Sequence, residues 1–241
     1  AGYSAATVNQ VRAQMSTIFA SAVRLDYVKA NPVSRTSRVK SLPTDPTRRR
    51  PPWDAETCRH ALNFAHNTDL ELFLVLAIYT GMRRGEILGL HWSSIDFEHG
   101  TLMIESSLVE VAERSLDGIS RTRVQMHPPK TQSGFRRISV FKPVLDVLQR
   151  HRLMQDVERL AQGDSWLEHD LVFTNRNGGP VFPSNWYKRL RKFTQTHNLP
   201  EIRVHDLRHS FAQNVLAAGG QLAEITQALG HSSLEVTKNL Y

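Results

Sequence analysis

The sequence is nearly without cysteine: its 241 residues contain one, Cys58. A single thiol excludes an intrachain disulfide and a cysteine-built zinc or iron–sulfur centre. A reducing compartment suits such a chain. Long apolar runs are missing as well. The longest, Leu72 to Tyr79 within "ELFLVLAIYTG", falls far short of the roughly 20 residues that a membrane-spanning helix needs. The opening "AGYSAATVNQVRAQM" has neither an initiator methionine nor the charged-then-apolar pattern of a secretion signal. It reads as the start of a fragment of a longer protein. Acidic residues are in deficit, 23 against 30 Lys plus Arg, and the pI is about 9.8. That balance suits a polyanion, nucleic acid first. No internal repeat and no phosphate-cradling glycine loop is present.

What is there reads as a mainly α chain with a small antiparallel β-sheet (α+β). Residues 5 to 29 carry Val8, Val11, Met15, Ile18, Phe19, Ala22 and Val23 at helical spacing. One or two helices cannot bury that stripe alone. Residues 31 to 52 have five prolines, six basic residues, one acid and no apolar period, the composition of a linker. Its Arg35, Arg38, Lys40, Arg48, Arg49 and Arg50 are either solvated surface or a track along a phosphate backbone. From about residue 53 the pattern is helical again, with Asp54 a candidate N-cap. The buried helix "DLELFLVLAIYT" stops at Gly81, and "RRGEILGLHWSSID" reads as another helix. Residues 101 to 141 read as strands of one small sheet. "KPVLDVLQRHRLMQDVERLA" returns to helix, and "LVFTNRNGGPVF" is a strand and turn. A helix capped by Ser184 follows, then one ended by Gly219 and Gly220, and a short one ended by Gly230.

Four segments hold candidate chemistry. In "YTGMRRGEILGLHW", Arg83 sits at a helix mouth with Glu86 three residues on; this is an anion site or a surface ion pair. In "HPPKTQSGFRRISV", Lys130 lies at a turn between strands. In "HDLRHSFA", His205 and Arg208 share a helix face. His205 and His209 also have metal-pair spacing, but Asp206 stands where a zinc helix needs Glu, and no third ligand is placed. No metal is expected, and His209 reads as structural. In "LGHSSLEVTKNLY", Gly230 exposes His231, and Tyr241 follows ten residues later, as a core aromatic or as a nucleophile. Together these are the groups that side-chain attack on a phosphodiester requires. Two arginines clamp the non-bridging oxygens, a lysine or histidine protonates the leaving oxygen, and a phenol attacks.

In order and spacing, the four segments resemble those of the tyrosine recombinase (phage integrase) family over roughly residues 50 to 241. The resemblance implies a catalytic domain at 53–241, a basic interdomain linker at 34–52, and the last helices of a core-binding domain at 1–33. It implies that Arg83 and Arg208 bind the scissile phosphate, Glu86 supports the arginine, and Lys130 protonates the departing 5′-oxygen. His205 would assist proton transfer, His231 would hydrogen-bond the phosphate, and Tyr241 would attack to give a 3′-phosphotyrosyl link. It implies no cofactor, and double-stranded DNA as partner, bound by a homotetramer, with accessory DNA-bending or directionality factors and no membrane. The setting would be the cytoplasm of a bacterial host. The family commonly spaces the histidine and tyrosine by nine residues, and ten also occurs. Type IB topoisomerases use the same chemistry, and a DNA-binding module without catalysis would keep the fold. A metal-dependent nuclease would want acidic pairs near the histidines.

Overall fold

The computed structural model describes residues 3–40, 50–114, 120–129, 132–230 and 233–238. The chain divides into two units, Ala1–Arg49 and Arg50–Tyr241.

The first unit is built on α1 (Ala5–Arg24), whose first turn is capped by the Ser4 hydroxyl, accepting from the Thr7 N–H at 3.1 Å. It stops short of residue 29 because Asp26 adopts a left-handed φ of 57°. Its apolar stripe is not buried: Val8, Val11, Met15 and Ile18 are all exposed. Pro32 does not leave the chain after α1 loose. Residues 32–35 form a 3-10 turn, and the stretch is hydrogen-bonded along α1. Asn9 exchanges two bonds with the Val39 backbone, at 2.8 and 2.9 Å, and Arg12 donates to the Thr36 hydroxyl at 2.8 Å. Residues 34–39, expected as linker, are therefore held by polar side chains, which an apolar period cannot reveal.

In the second unit Asp54 caps α2 (Ala55–Ala65), accepting from the Thr57 N–H at 2.8 Å. The next helix, α3 (Glu71–Thr80), has apolar residues on every side, and Leu72 to Ile78 are all buried. It is the axis of the core. Phe73 stacks on Trp186 at 4.6 Å and meets Phe173 edge-on at 6.3 Å. Gly81, at φ 61°, ends α3.

The segment after Gly81 gives a shorter helix than its sequence suggests. α4 (Arg84–Leu88) ends at Gly89. The rest becomes a 3-10 turn (Trp92–Ser94) and β1 (Ile95–Asp96). Backbone pairing overrides helix continuation here, because Trp92 donates to the Asp170 carbonyl at 2.8 Å and His91 bridges Leu171.

The strands are β2 (Thr101–Ile104), β3 (Ser107–Arg114), β4 (Ser120–His127) and β5 (Arg136–Ser139). They make two antiparallel sheets, β1-β2-β5 and the hairpin β3-β4, and not the single sheet expected. The chain breaks away at Glu105 and Ser106, held by Ser94 donating to Glu105 at 2.6 Å and Ser106 to the Gly89 carbonyl at 2.5 Å. β5 then returns to β2, with Leu102 opposite Ile138.

α5 spans Lys142–Gln162 and α6 spans Pro183–Thr196. Ser184 is not the cap of α6. Proline fits the first helical position, so Phe182 is the cap and Ser184, one residue inside, donates its N–H to Glu110 at 2.5 Å. α7 (Val204–Ala217), α8 (Leu222–Leu229) and α9 (Leu234–Lys238) complete the unit. Ala212, Ile225 and Leu229 form a second small apolar cluster between α7 and α8. The fold is mainly α with small antiparallel sheets, as its composition and periodicity suggest.

Candidate active site

The site is assembled around two connections, one leaving α3 and one leaving α8. At the first, Gly81 turns the chain out of α3 and Arg83 occupies the N-cap position of α4. Glu86, in the first turn, is buried. It accepts the Arg83 backbone N–H at 2.8 Å and the Arg83 guanidinium at 2.7 Å. An acid here satisfies a helix-end N–H and complements the helix dipole. Arg83 remains 44% exposed. A second guanidinium, that of Arg136, approaches Glu86 from the buried side at 2.7 and 3.1 Å. Burial alone would raise the Glu86 pKa. The hydrogen bond and charge of Arg136, joined by those of Arg83, outweigh burial and hold the carboxyl below its ordinary range.

The second connection lies at the end of α8, where Gly230 takes φ 64°. Both connections are tied to α7 by Arg208, which is 3% exposed. Its guanidinium donates to the Gly81 carbonyl at 2.8 Å and to the Leu229 carbonyl. Gly81 lies two residues before Arg83, and Leu229 lies two before His231. One side chain thus joins three of the four sequence segments.

His205 and His209 stand one turn apart on α7, edge to face, with ring centroids 5.1 Å apart. Partial desolvation, then the neighbouring His209 and Arg208, lower the pKa of His205. Partial burial also lowers that of His209; Asp206 opposes this, while Arg208 and Arg203 add to it. Both imidazoles are held toward the neutral form, able to accept a proton beside fixed cations.

α7 begins as α4 does. Arg203 is its N-cap, and Asp206, three residues on, accepts from the Arg203 backbone at 3.2 Å and from its guanidinium at 2.8 and 2.9 Å. The shared signal is Arg-x-x-acid, in "RRGE" and again in "RVHD". In the sequence Asp206 counts only against zinc, and Arg203 belongs to none of the four segments. Arg136 is likewise not singled out there, although β5 carries two consecutive arginines and alternation turns one of them inward.

Of the expected site residues, Arg83, Glu86, His205 and Arg208 belong to this network. Lys130, His231 and Tyr241 lie outside the described residues, as do Arg48 and Arg49. Arg35, Arg38 and Lys40 are exposed in the first unit. Arg50 belongs to the second unit and pairs with Glu201 at 2.8 Å on the surface. Among the described residues, no three His, Cys, Asp or Glu side chains group as a metal site requires, and no helix is long and apolar enough to cross a membrane.

Comparison with known proteins agrees with this architecture. Residues 54–241 match the phage integrase family. A tyrosine recombinase XerC-like protein of Caldanaerobacter subterraneus is 31% identical over 175 residues, covering 71% of this chain and 45% of that protein. The ICEBs1 integrase of Bacillus subtilis is 29% identical over all of this chain and 62% of its own length. The chain therefore spans about half the length of the curated relatives it matches. Among solved structures, the Tn1549 transposon integrase in complex with a circular intermediate DNA has a TM-score of 0.77 at 22% identity, over 100% of this chain and 76% of that one. A lambda integrase dimer bound to a COC′ core site has a TM-score of 0.62 at 18% identity, over 98% and 73%. These two share the fold. With the family matched over residues 54–241, and three of the four sequence segments joined through Arg208, the chain belongs to the phage integrase, or tyrosine recombinase, family.

Proposed function

We propose that the chain is the DNA-breaking and rejoining part of a site-specific recombinase. The observation that carries this reading is the Arg208 contact with Gly81 and Leu229, which ties the ends of α3 and α8 to the helix that bears His205. Arg83 and Arg208 clamp the non-bridging oxygens of the scissile phosphate, where transition-state charge collects. The Tyr241 phenol oxygen forms a bond to phosphorus as the bond from phosphorus to the 5′-oxygen breaks. Lys130 gives that oxygen its proton, while His205, held neutral, assists removal of the phenol proton. His231 donates a hydrogen bond to the phosphate. The product is a 3′-phosphotyrosyl link and a free 5′-hydroxyl. The phosphodiester energy is kept, so rejoining needs neither ATP nor metal. Glu86 orients Arg83.

The partner is double-stranded DNA, and the net charge of +7 favours it. Two relatives in the comparison are described with DNA bound, one on a circular intermediate and one on a core site. Residues 53–241 act as the catalytic domain and 1–33 as the end of a core-binding domain. Residues 34–52 join them, with Arg35, Arg38, Lys40, Arg48, Arg49 and Arg50 along the phosphate backbone. Assembly as a homotetramer on two sites, with accessory DNA-bending or directionality factors, in the bacterial cytoplasm, completes the reading.

The test is a trap for the covalent intermediate. Protein and supercoiled plasmid are mixed in EDTA, quenched with SDS, and examined for relaxed topoisomers and protein-linked DNA. The expected result is an adduct in the wild type that Tyr241→Phe abolishes. An adduct that survives Tyr241→Phe, or one that EDTA prevents, overturns the reading.

A further inference from the structure

Arg136 has no part in the mechanism above, yet its guanidinium makes four hydrogen bonds beside the site. Its side chain is 4% exposed. Its Nη2 donates to Glu86 Oε2 at 2.7 Å, and its Nη1 to Glu86 Oε1 at 3.1 Å and to the Gly134 carbonyl at 3.2 Å. Its Nε donates to the Ala228 carbonyl at 2.6 Å. These acceptors belong to α4, to the turn before β5 and to the last turn of α8. Arg208 takes the next carbonyl of α8, that of Leu229. The chain closes tightly over Arg136: a Cβ on Gly230 would stand 3.0 Å from Arg136 Cδ and 2.7 Å from the Ser133 carbonyl oxygen.

The charges matter as much as the bonds. Glu86 is one carboxylate between two guanidiniums, buried Arg136 and part-exposed Arg83. The trio carries a net single positive charge, and Arg83 is the member that presents it to solvent. Without Arg136 the remaining pair is neutral, and Arg83 becomes merely the counter-ion of Glu86. Lysine would restore the charge. It lacks the planar fork that reaches both carboxylate oxygens and the two carbonyls together.

We propose that Arg136 is a positioning residue for strand cleavage: it holds the Arg83–Glu86 pair and the carbonyl end of α8 in one register, and it neutralises Glu86 from the buried side so that the charge of Arg83 is left for the phosphate. The proposal rests on the recombinase reading of the same site.

The test uses the whole chain as wild type, Arg136→Lys, Arg136→Gln and the double variant Glu86→Gln/Arg136→Gln. Three quantities are read: amide exchange in residues 84–88 and 226–230, affinity for supercoiled plasmid, and the rate of SDS-trapped adduct at saturating plasmid in EDTA. In Arg136→Gln, exchange rises in both segments, affinity changes little, and the rate falls about 100-fold, the scale of an ångström-size misplacement. Arg136→Lys loses about tenfold, a partial rescue by the conserved charge. The double variant, which again leaves Arg83 with an unopposed charge, regains about tenfold over Arg136→Gln, a coupling within the range of contacting groups. A purely structural role predicts no such gain in rate at saturating DNA. Should Arg136→Gln fail to fold, Arg136→Lys and the double variant carry the comparison. Unchanged exchange, an unchanged saturated rate, or a double variant no faster than Arg136→Gln each overturns the proposal. Failure of the recombinase reading has a different signature, a wild type with no adduct or with one that Tyr241→Phe does not remove. The exchange comparison alone then judges Arg136.

Discussion

Arg208 and Gly81 are 127 residues apart in sequence, and the buried guanidinium of one donates to the carbonyl of the other at 2.8 Å. The same guanidinium reaches Leu229, so α7 fixes the exits of α3 and α8 together. A lysine at 208 keeps the charge and cannot span both carbonyls. Losing one charge-assisted bond costs about 2 kcal/mol. For a chain of this size Arg208→Lys should then lower the melting midpoint by about 6 °C. Adduct formation should fall at least about 100-fold as the phosphate clamp is lost. Differential scanning fluorimetry and the plasmid trap read the two effects. A midpoint equal to wild type would show that these bonds do not hold the exits.

Glu86 is expected to give the protein part of its acid sensitivity. Its folded-state pKa lies below the unfolded value. Its stabilising contribution is therefore present above the unfolded value near ~4.3 and is lost as pH falls through the folded one. Glu86→Gln breaks a buried pair and leaves Arg136 without its carboxylate, at a cost of about 3 kcal/mol near neutral pH. The variant's melting midpoint should also depend less on pH below ~4.3. Parallel acid limbs for variant and wild type would rule this out.

The two histidines of α7 should titrate low. Both are depressed in the folded state. Between the folded and unfolded values the unfolded chain binds more protons, so stability falls as pH drops below about 6.5 toward the folded values. Imidazole proton resonances of wild type, His205→Asn and His209→Asn assign the two midpoints. Both are expected below about 6.5. A midpoint above that value for either residue contradicts the geometry described for the pair.

Gly230 is required for two separable reasons. Its φ of 64° favours glycine, and a Cβ would press on the Ser133 carbonyl at 2.7 Å. Left-handed backbone alone costs an alanine about 1–2 kcal/mol. Gly230→Ala should lower the melting midpoint by about 6 °C, and Gly230→Asn separates the causes. Asparagine tolerates the backbone angle but still carries a Cβ. A loss equal to that of alanine assigns the effect to contact, and a smaller loss assigns it to backbone strain.

The parts of this molecule legible in its sequence are those written in local chemistry. Asp54 as a cap and Gly81 and Gly230 as stops are each found where residue type predicts them. The division of the strands into two sheets was not legible, because Ser106 and Glu105 set it through contacts with Gly89 and Ser94 far back in the chain. Nor were the ties that join the four segments. Arg208 and Arg136 bond main-chain carbonyls, and a carbonyl has no sequence signature. Only parity along β5 hints that Arg136, and not Arg137, turns inward.

Arg136 and Arg208 hold successive carbonyls, those of Ala228 and Leu229, at the end of α8. This bears on grafting between relatives. A segment transplanted from another recombinase brings its own spacing at that helix end, and two guanidiniums on different elements must both fit it. Chimeras that exchange the α4 entry, the β5 arginine and the α8 exit as one block should keep their fit. Those that swap a single segment should carry a mismatch even where every reacting side chain has been retained.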